Sequence, residues 1–207
     1  MKPSFRILII VVLALAMFVP YSTAAAATET YKWRGPGAQA EFYSEDGCVA
    51  TGASIFTRDE KFHNPPGRPS KSPFVFLYLY QYDFCSAVLL MEASGFVSGD
   101  GVDLQVAKML DWATLMTTVN VYDWVNDTSF DVYVDLTWTA TGPATRENSR
   151  FKSQTPGCTY QNQFKGMVRP ADAYGTVTDG STNFSPWTGW GSIFDSMGSE
   201  KWIGCGF

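Results

Sequence analysis

Histidine occurs once in this 207-residue chain, at His63, and cysteine only four times, at Cys48, Cys85, Cys158 and Cys205. No two cysteines lie close together, so the chain lacks the paired-ligand spacing of a zinc site, and no metal or cofactor is implied. A Ser-His-Asp or Cys-His catalytic set would have to recruit His63 from the Pro-rich run RDEKFHNPPGRPSKS, and no Gly-x-Ser-x-Gly segment is present. There is also no block of like charge, internal repeat, heptad or collagen-like period.

The first residues are of another kind. Lys2 and Arg6 precede an apolar segment from Ile7 to Val19, and small residues follow from Ala24 to Ala27. That order is the layout of a secretory signal peptide, too short and wrongly flanked for a permanent membrane span. Residues 1–27 are therefore expected to be removed, leaving a single secreted all-β domain over 28–207. Removal takes two basic residues and no acid, so the net charge goes from −5 to −7. An acidic chain without a basic cluster in its sequence is poorly suited to nucleic acid or anionic lipid. An even cysteine count in an exported chain argues for two disulfides. Cys48 opens one predicted strand and Cys85 closes another, which favours Cys48–Cys85 and leaves Cys158–Cys205 to pin the C-terminal tail.

The strongest pattern is in LDWATLMTTVNVYDWVNDTSFDVYVDLTWTATG, residues 110–142. Apolar Leu115, Val119 and Val121 alternate with polar or amphipathic residues in the first arm. Val132, Val134, Leu136 and Trp138 do so in the second. Period two gives one apolar and one polar face to each arm of a long hairpin. A two-residue turn at Asn126-Asp127 would place Val121 opposite Val132 and Leu115 opposite Trp138.

Further strands are predicted at 38–43, 48–57, 74–85, 86–97, 146–154, 158–169 and 171–178. Residues 102–109 read as a strand with an amphipathic helix over 102–114 as the rival. Arg58 to Ser72 reads as a loop, and the Trp- and Gly-rich stretch from about 180 to 207 as a tail. In FVFLYLYQYDFC, Phe74, Phe76, Tyr78, Tyr80, Tyr82 and Phe84 form one stripe, with Val75, Leu77 and Leu79 on the other face. Apolar residues on both faces suggest a central strand with the stripe in the core. The fold class is all-β: an antiparallel β-sandwich with long hairpins, with a closed up-and-down β-barrel as the alternative.

Two sets of residues could carry function by binding. On the polar face of the hairpin, Tyr122 is expected opposite Asp131, Asn120 opposite Tyr133, and Thr118 opposite Asp135. Rings beside carboxylates and amides suit sugars, because rings stack on C–H faces while polar groups bond hydroxyls. An ordinary solvated sheet face has the same composition. The second set is Trp187 and Trp190 in PWTGW, either a contact loop or part of a tail that covers a sheet edge. The acidic turns at 44–46 and 100–103 lack the ordered alternation of a calcium loop. Glu41, Glu92, Asp123, Asp131 and Asp135 could serve a glycosidase only if two of them face each other across a cleft.

The reading is an exported, non-catalytic binding domain for extracellular polysaccharide or glycan. A small carboxylate-dependent carbohydrate enzyme and a structural envelope protein are the alternatives.

Overall fold

The structure, a computed structural model, describes residues 28–63, 70–156 and 158–203. The expected signal segment, residues 1–27, and Cys205 lie outside them. The described residues form ten β-strands: β1 (Thr28–Asp46), β2 (Val49–His63), β3 (Ser70–Asp83), β4 (Val88–Ser98), β5 (Val102–Val106), β6 (Trp112–Asp123), β7 (Thr128–Ala140), β8 (Thr145–Thr155), β9 (Cys158–Thr178) and β10 (Gly189–Ile203). All pairings are antiparallel, in the order β10-β1-β2-β3-β4-β6-β7-β9-β8, with β5 beside β6. β10 also pairs with β9 over its whole length, so the sheet folds back and joins itself at that seam. The all-β antiparallel architecture expected from the alternating patterns is the one found. Its inner faces pack against each other as the layers of a sandwich do.

Period two decides which residues fill the interior. Ala38, Ala40 and Phe42 of β1, Val75, Leu77 and Leu79 of β3, and Val132, Val134, Leu136 and Trp138 of β7 are buried together. Trp138 reaches across the core, and its indole N–H donates to the Gln39 carbonyl at 2.8 Å. That bond satisfies the one polar atom a buried indole brings.

The long hairpin is β6–β7, with its apolar face inward as expected, but its register differs. Val121 pairs with Phe130, Val119 with Val132, and Leu115 with Leu136. The connection is four residues, Trp124 to Asp127, and not two. Asp123 is the reason. Its carboxylate, 2% exposed, accepts from the Val125 and Asn126 backbone amides and from the Asn126 side chain, while Asp127 takes φ 53°. Such a loop is self-capped. The partner shift is by two residues, so every side chain keeps its face. β3–β4 uses the same device: Asp83 accepts from the Cys85 and Ser86 amides, and Ala87 takes φ 55°.

Other boundaries differ from the sequence reading for local reasons. β2 continues to His63 and β3 starts at Ser70, because Arg58, Lys61 and Phe62 find partners on both β1 and β3, so residues 58–63 and 70–72, read as loop, are strand. β5 is a strand but stops at Val106, and the chain turns through Leu110 at φ 58°. β9 runs unbroken through Pro170, which lacks an N–H. Pro170 stands where that edge changes partner from β8, ending at Val168, to β7, beginning at Ala171. The C-terminal stretch is not an appended tail: β10 is inserted between β1 and β9. Its glycines sit where neighbours come close. A Cβ at Gly191 would lie 2.0 Å from the Gln39 carbonyl oxygen, and one at Gly198 would lie 2.3 Å from the Trp33 ring.

Cys48 and Cys85 are joined, with Cα atoms 5.4 Å apart, as expected from their positions at neighbouring hairpin ends. Cys158 is also disulfide-bonded. Its expected partner, Cys205, lies outside the described residues.

Candidate functional site

The aromatic stripe of β3 is not core. Val75, Leu77 and Leu79 take the interior, and Phe76 and Tyr82 are exposed on the outer face with Tyr78 and Tyr80 half-buried between them. The expectation failed because β3 has the packed interior on one side only. Positions two apart on a strand are about 6.7 Å apart, so the run from Phe76 to Tyr82 is a track about 20 Å long. The outer faces of its neighbours shape that track. Tyr80 pairs with Gly52 and Gly52 with Tyr43, while Tyr82 pairs with Ala50. The small Gly52 and Ala50 leave room for the rings to lie down against the sheet, forming a trough: a Cβ at Gly52 would fall 2.2 Å from the Tyr80 ring. Tyr43, Ala50, Tyr78, Tyr80, Tyr82, Leu89 and Glu92 line a shallow depression of about 490 Å³.

Acids border the trough. Tyr78 donates its hydroxyl to Glu92 at 2.9 Å, Tyr43 donates to Glu45, and Ser54 donates to Glu41. The bond to Glu45 raises the Tyr43 pKa. Burial and then the bond to Glu92 raise that of Tyr78, and burial with the nearby Glu41 charge raises that of Tyr80. The three phenols therefore stay protonated across the neutral range, as hydrogen-bonding groups on flat rings.

The residues singled out from the sequence lie on the same outer surface but are differently matched. Asn120 donates to Asp131 at 2.8 Å, directly across β6–β7. Tyr122 bonds Asp127 in the turn and not Asp131, and Tyr133 bonds Asp135 at 3.4 Å along its own strand. The four-residue turn causes both changes. Trp187 is 71% exposed just before β10, and Trp190 is 62% exposed within it. Registers place Trp190 beside Glu41, Glu41 beside Ser54, Ser54 beside Tyr78, Tyr78 beside Ser94, and Ser94 beside Tyr122. One row of outward residues thus links the trough to Trp190 on one side and to Tyr122 on the other. Asn120, Asp131, Tyr133 and Asp135 lie beyond it.

A second depression, about 420 Å³, is lined by Tyr31, Trp33, Arg58, Glu60, Glu200 and Trp202. Arg58 is nearly buried: its guanidinium lies 4.1 Å from the Trp33 ring centre, donates to Ser196 at 3.3 Å, and reaches Glu60 at 3.9 Å. Burial lowers the Arg58 pKa. Burial also raises that of Glu60, with Arg58 opposing the rise and Glu200 adding to it. Neither glutamate stood out in the sequence, since the first lay in what read as a loop and the second in what read as a tail. For the trough, alternation did give the stripe but not which side of β3 faced water. A usable signal was Gly52 and Ala50 at matching positions of the adjacent strand, where rings on an inner face would have needed larger partners.

Among the described residues, Cys48, Asp83 and Cys85 bring three potential metal-binding atoms together, but the two sulfurs are bonded to each other. No thiolate is left to ligate.

No family model matches the chain, and no curated protein matches it. The chain is similar in outline to a crystal structure from Nitrosomonas europaea solved under the name AttH, at 9% identity and a TM-score of 0.30. The likeness covers 86% of this chain and spans about half, 52%, of that protein. It is too slight to inform fold detail or function.

Proposed function

We propose that this chain is an exported, disulfide-bonded β-domain that binds extracellular polysaccharide or glycan without cleaving it. The observation that carries the reading is the tyrosine trough: rings laid over Gly52 and Ala50, with Glu45 and Glu92 accepting from the Tyr43 and Tyr78 hydroxyls and Glu41, bonded by Ser54, close to Tyr80. Stacking of pyranose C–H faces on rings, with carboxylates and phenols taking the sugar hydroxyls, is the chemistry such a surface offers. An open, shallow track suits a polymer better than a small molecule, and it binds without excluding water. Export is supported by the sequence of residues 1–27 and by disulfide-bonded Cys48, Cys85 and Cys158, since such bonds persist in oxidising compartments. Among the described residues no helix is long and apolar enough to cross a membrane.

The test is retention of the oxidised mature chain on a panel of soluble and insoluble neutral polysaccharides, with release of sugar assayed in the same mixtures. Retention without release, lost in Tyr80→Ala and kept in Tyr133→Ala, is the expected result. Loss in Tyr133→Ala alone would move the site to the β6–β7 face, and no retention across the panel would end the reading.

One observation favours an enzyme: Glu60, whose pKa is raised by burial, shares an aromatic-lined depression with Glu200. If the chain is a glycosidase, sugar release appears and Glu60→Gln abolishes it.

A further inference from the structure

The basic residues of the chain are scattered in sequence and gathered in space. Beyond Pro36, β1 continues away from the interior, and β2, β9 and β10 run alongside it, with β8 on the outer edge of β9. Four cross-strand rows cover the face of this far half that continues the inner face. The first row is Pro36, Asp195, Met167 and Arg146. The second runs from Lys61 through Arg34, Met197 and Lys165 to Asn148. The third joins Lys32, Ser199, Gln163 and Arg150, and the fourth Thr30, Lys201, Gln161 and Lys152. Eight Lys or Arg side chains therefore share the face with two acids, Asp195 and Asp59, the latter two residues before Lys61 on β2, while Glu147 reaches the rim beside Arg146. All of the eight except the half-buried Lys201 are exposed, and among the described residues none of them makes an ion pair. Two depressions are cut into it, of about 390 and 410 Å³, and Arg34, Lys165 and Met197 line both.

We propose that this face binds a linear anionic glycan, one whose sugars carry carboxylate or sulfate groups. The eight cations extend about 20 Å along the strands and about as far across them, too widely for one phosphate or one small anion. A polyanion released from its counterions gains most from such a spread. Among the described side chains of the face none is an aromatic ring for base stacking, because Trp33 and Phe164 project from the opposite side, and single-stranded nucleic acid is disfavoured accordingly. Among its described side chains the exposed large apolar ones are Met167 and Met197, in mid-sheet and not at a projecting loop, which fits poorly with insertion into lipid. Since the net charge of the chain is negative, attraction of a polyanion depends on this face alone, and the acidic remainder orients the encounter. The site is separate from the tyrosine trough and does not rest on it.

The experiment uses the oxidised mature chain, with heparin and polygalacturonate as probes, titrated between low and high salt. The double variant Arg34→Glu/Lys165→Glu is the test, and Lys108→Glu, exposed after β5 and off this face, is the charge-reversal control. Binding of one or both probes by the native chain is expected, weakened about tenfold or more in the double variant, with the slope of log affinity against log salt reduced by about two. Lys108→Glu stays within about twofold of the native chain on the same scale. Both substitutions are at exposed positions, and coincident thermal melts confirm folding. Retention of any neutral-polysaccharide binding by the double variant separates this face from the trough. The proposal is overturned by no binding of either probe at low salt, by equal weakening in Lys108→Glu, or by duplex DNA or phosphatidylserine vesicles binding more tightly than both glycans.

Discussion

β1, β9 and β10 each have two halves, and the same face of each strand changes chemistry between them. In the near half that face is Ala38, Ala40 and Phe42 on β1, Ala171, Ala173 and Val177 on β9, and Ile193 on β10, all buried. In the far half it is Lys32 and Arg34, then Lys165, then Met197 and Lys201. The switch falls on one row, Pro36, Asp195 and Met167. Only the near half has β3, β6 and β7 packed across from it. The far half finds its packing on the reverse face, where Arg58 lies against Trp33, Phe56 and Phe194, and Trp33 meets Phe164. Strand periodicity alone therefore does not fix which side is core. What stands opposite does.

The largest effect that tests this contrast lies in the near half. Val134→Asp puts a carboxylate into a fully buried site with no partner and should unfold the domain, a loss of at least about 4 kcal/mol. Thr137→Asp, on the outer face of the same strand, should cost less than about 1 kcal/mol. Guanidinium melts of the two variants decide it, and similar losses would mean the face assignment of β7 is wrong.

Below that comes the ring stack of the far half. Arg58→Ala removes the cation from between three rings and leaves Glu60 buried beside Glu200, for a loss of about 3 kcal/mol or more. The double variant Arg58→Met/Glu60→Leu, which removes both charges and keeps the volume, should recover most of it in the same melts. Failure to recover would show that the guanidinium–ring contacts, and not the stranded carboxylate, carry the stability.

Next is the turn that set the hairpin register. Asp123→Ala should cost about 2 kcal/mol, because four donors, the Glu92 amide among them, lose an ionised acceptor. Burial pushes the Asp123 pKa up, but the bonds from Asn126, Val125 and Glu92 outweigh it and hold the carboxyl below its ordinary value. A depressed carboxyl stabilises the fold above its unfolded value near 4, and that contribution disappears as pH falls through the folded value. Asp123→Asn should accordingly flatten the acid limb of a stability–pH curve measured from about pH 6 to 2.

That turn also marks how far the sequence could be read. The hairpin faces, the strand class and the Cys48–Cys85 bridge were legible because period two and cysteine position are local signals. The register was not, since Asn126-Asp127 satisfies the preferences of a two-residue turn while Asp123, singled out only as a candidate carboxylate, builds the longer one. The trough was half legible: alternation isolated Tyr78, Tyr80 and Tyr82 but assigned them to the core, because an outer aromatic row and an inner one have the same periodicity. β10 was missed because Gly191 and Gly198 read as loop residues, when they are gaps for Gln39 and Trp33 on a strand not adjacent in sequence. The basic face was out of reach altogether, since Lys32, Lys61, Arg150 and Lys165 meet only through the topology.

The smallest expected effect concerns that face. Lys165 has Arg34 two strands away, about 10 Å, which is close to the screening length at 0.1 M salt. If the far half is solvated on this side, Lys165→Ala loses no packing and relieves some repulsion. Stability should then change by no more than about 0.5 kcal/mol, with any gain seen at low salt and erased at 1 M. Ala173→Lys, eight residues on along the same face of the same strand, replaces a fully buried side chain and should unfold the domain. A loss above about 1.5 kcal/mol in Lys165→Ala would show that something packs on the basic face, and the division of these strands into an interior half and a solvated, charged half would fail.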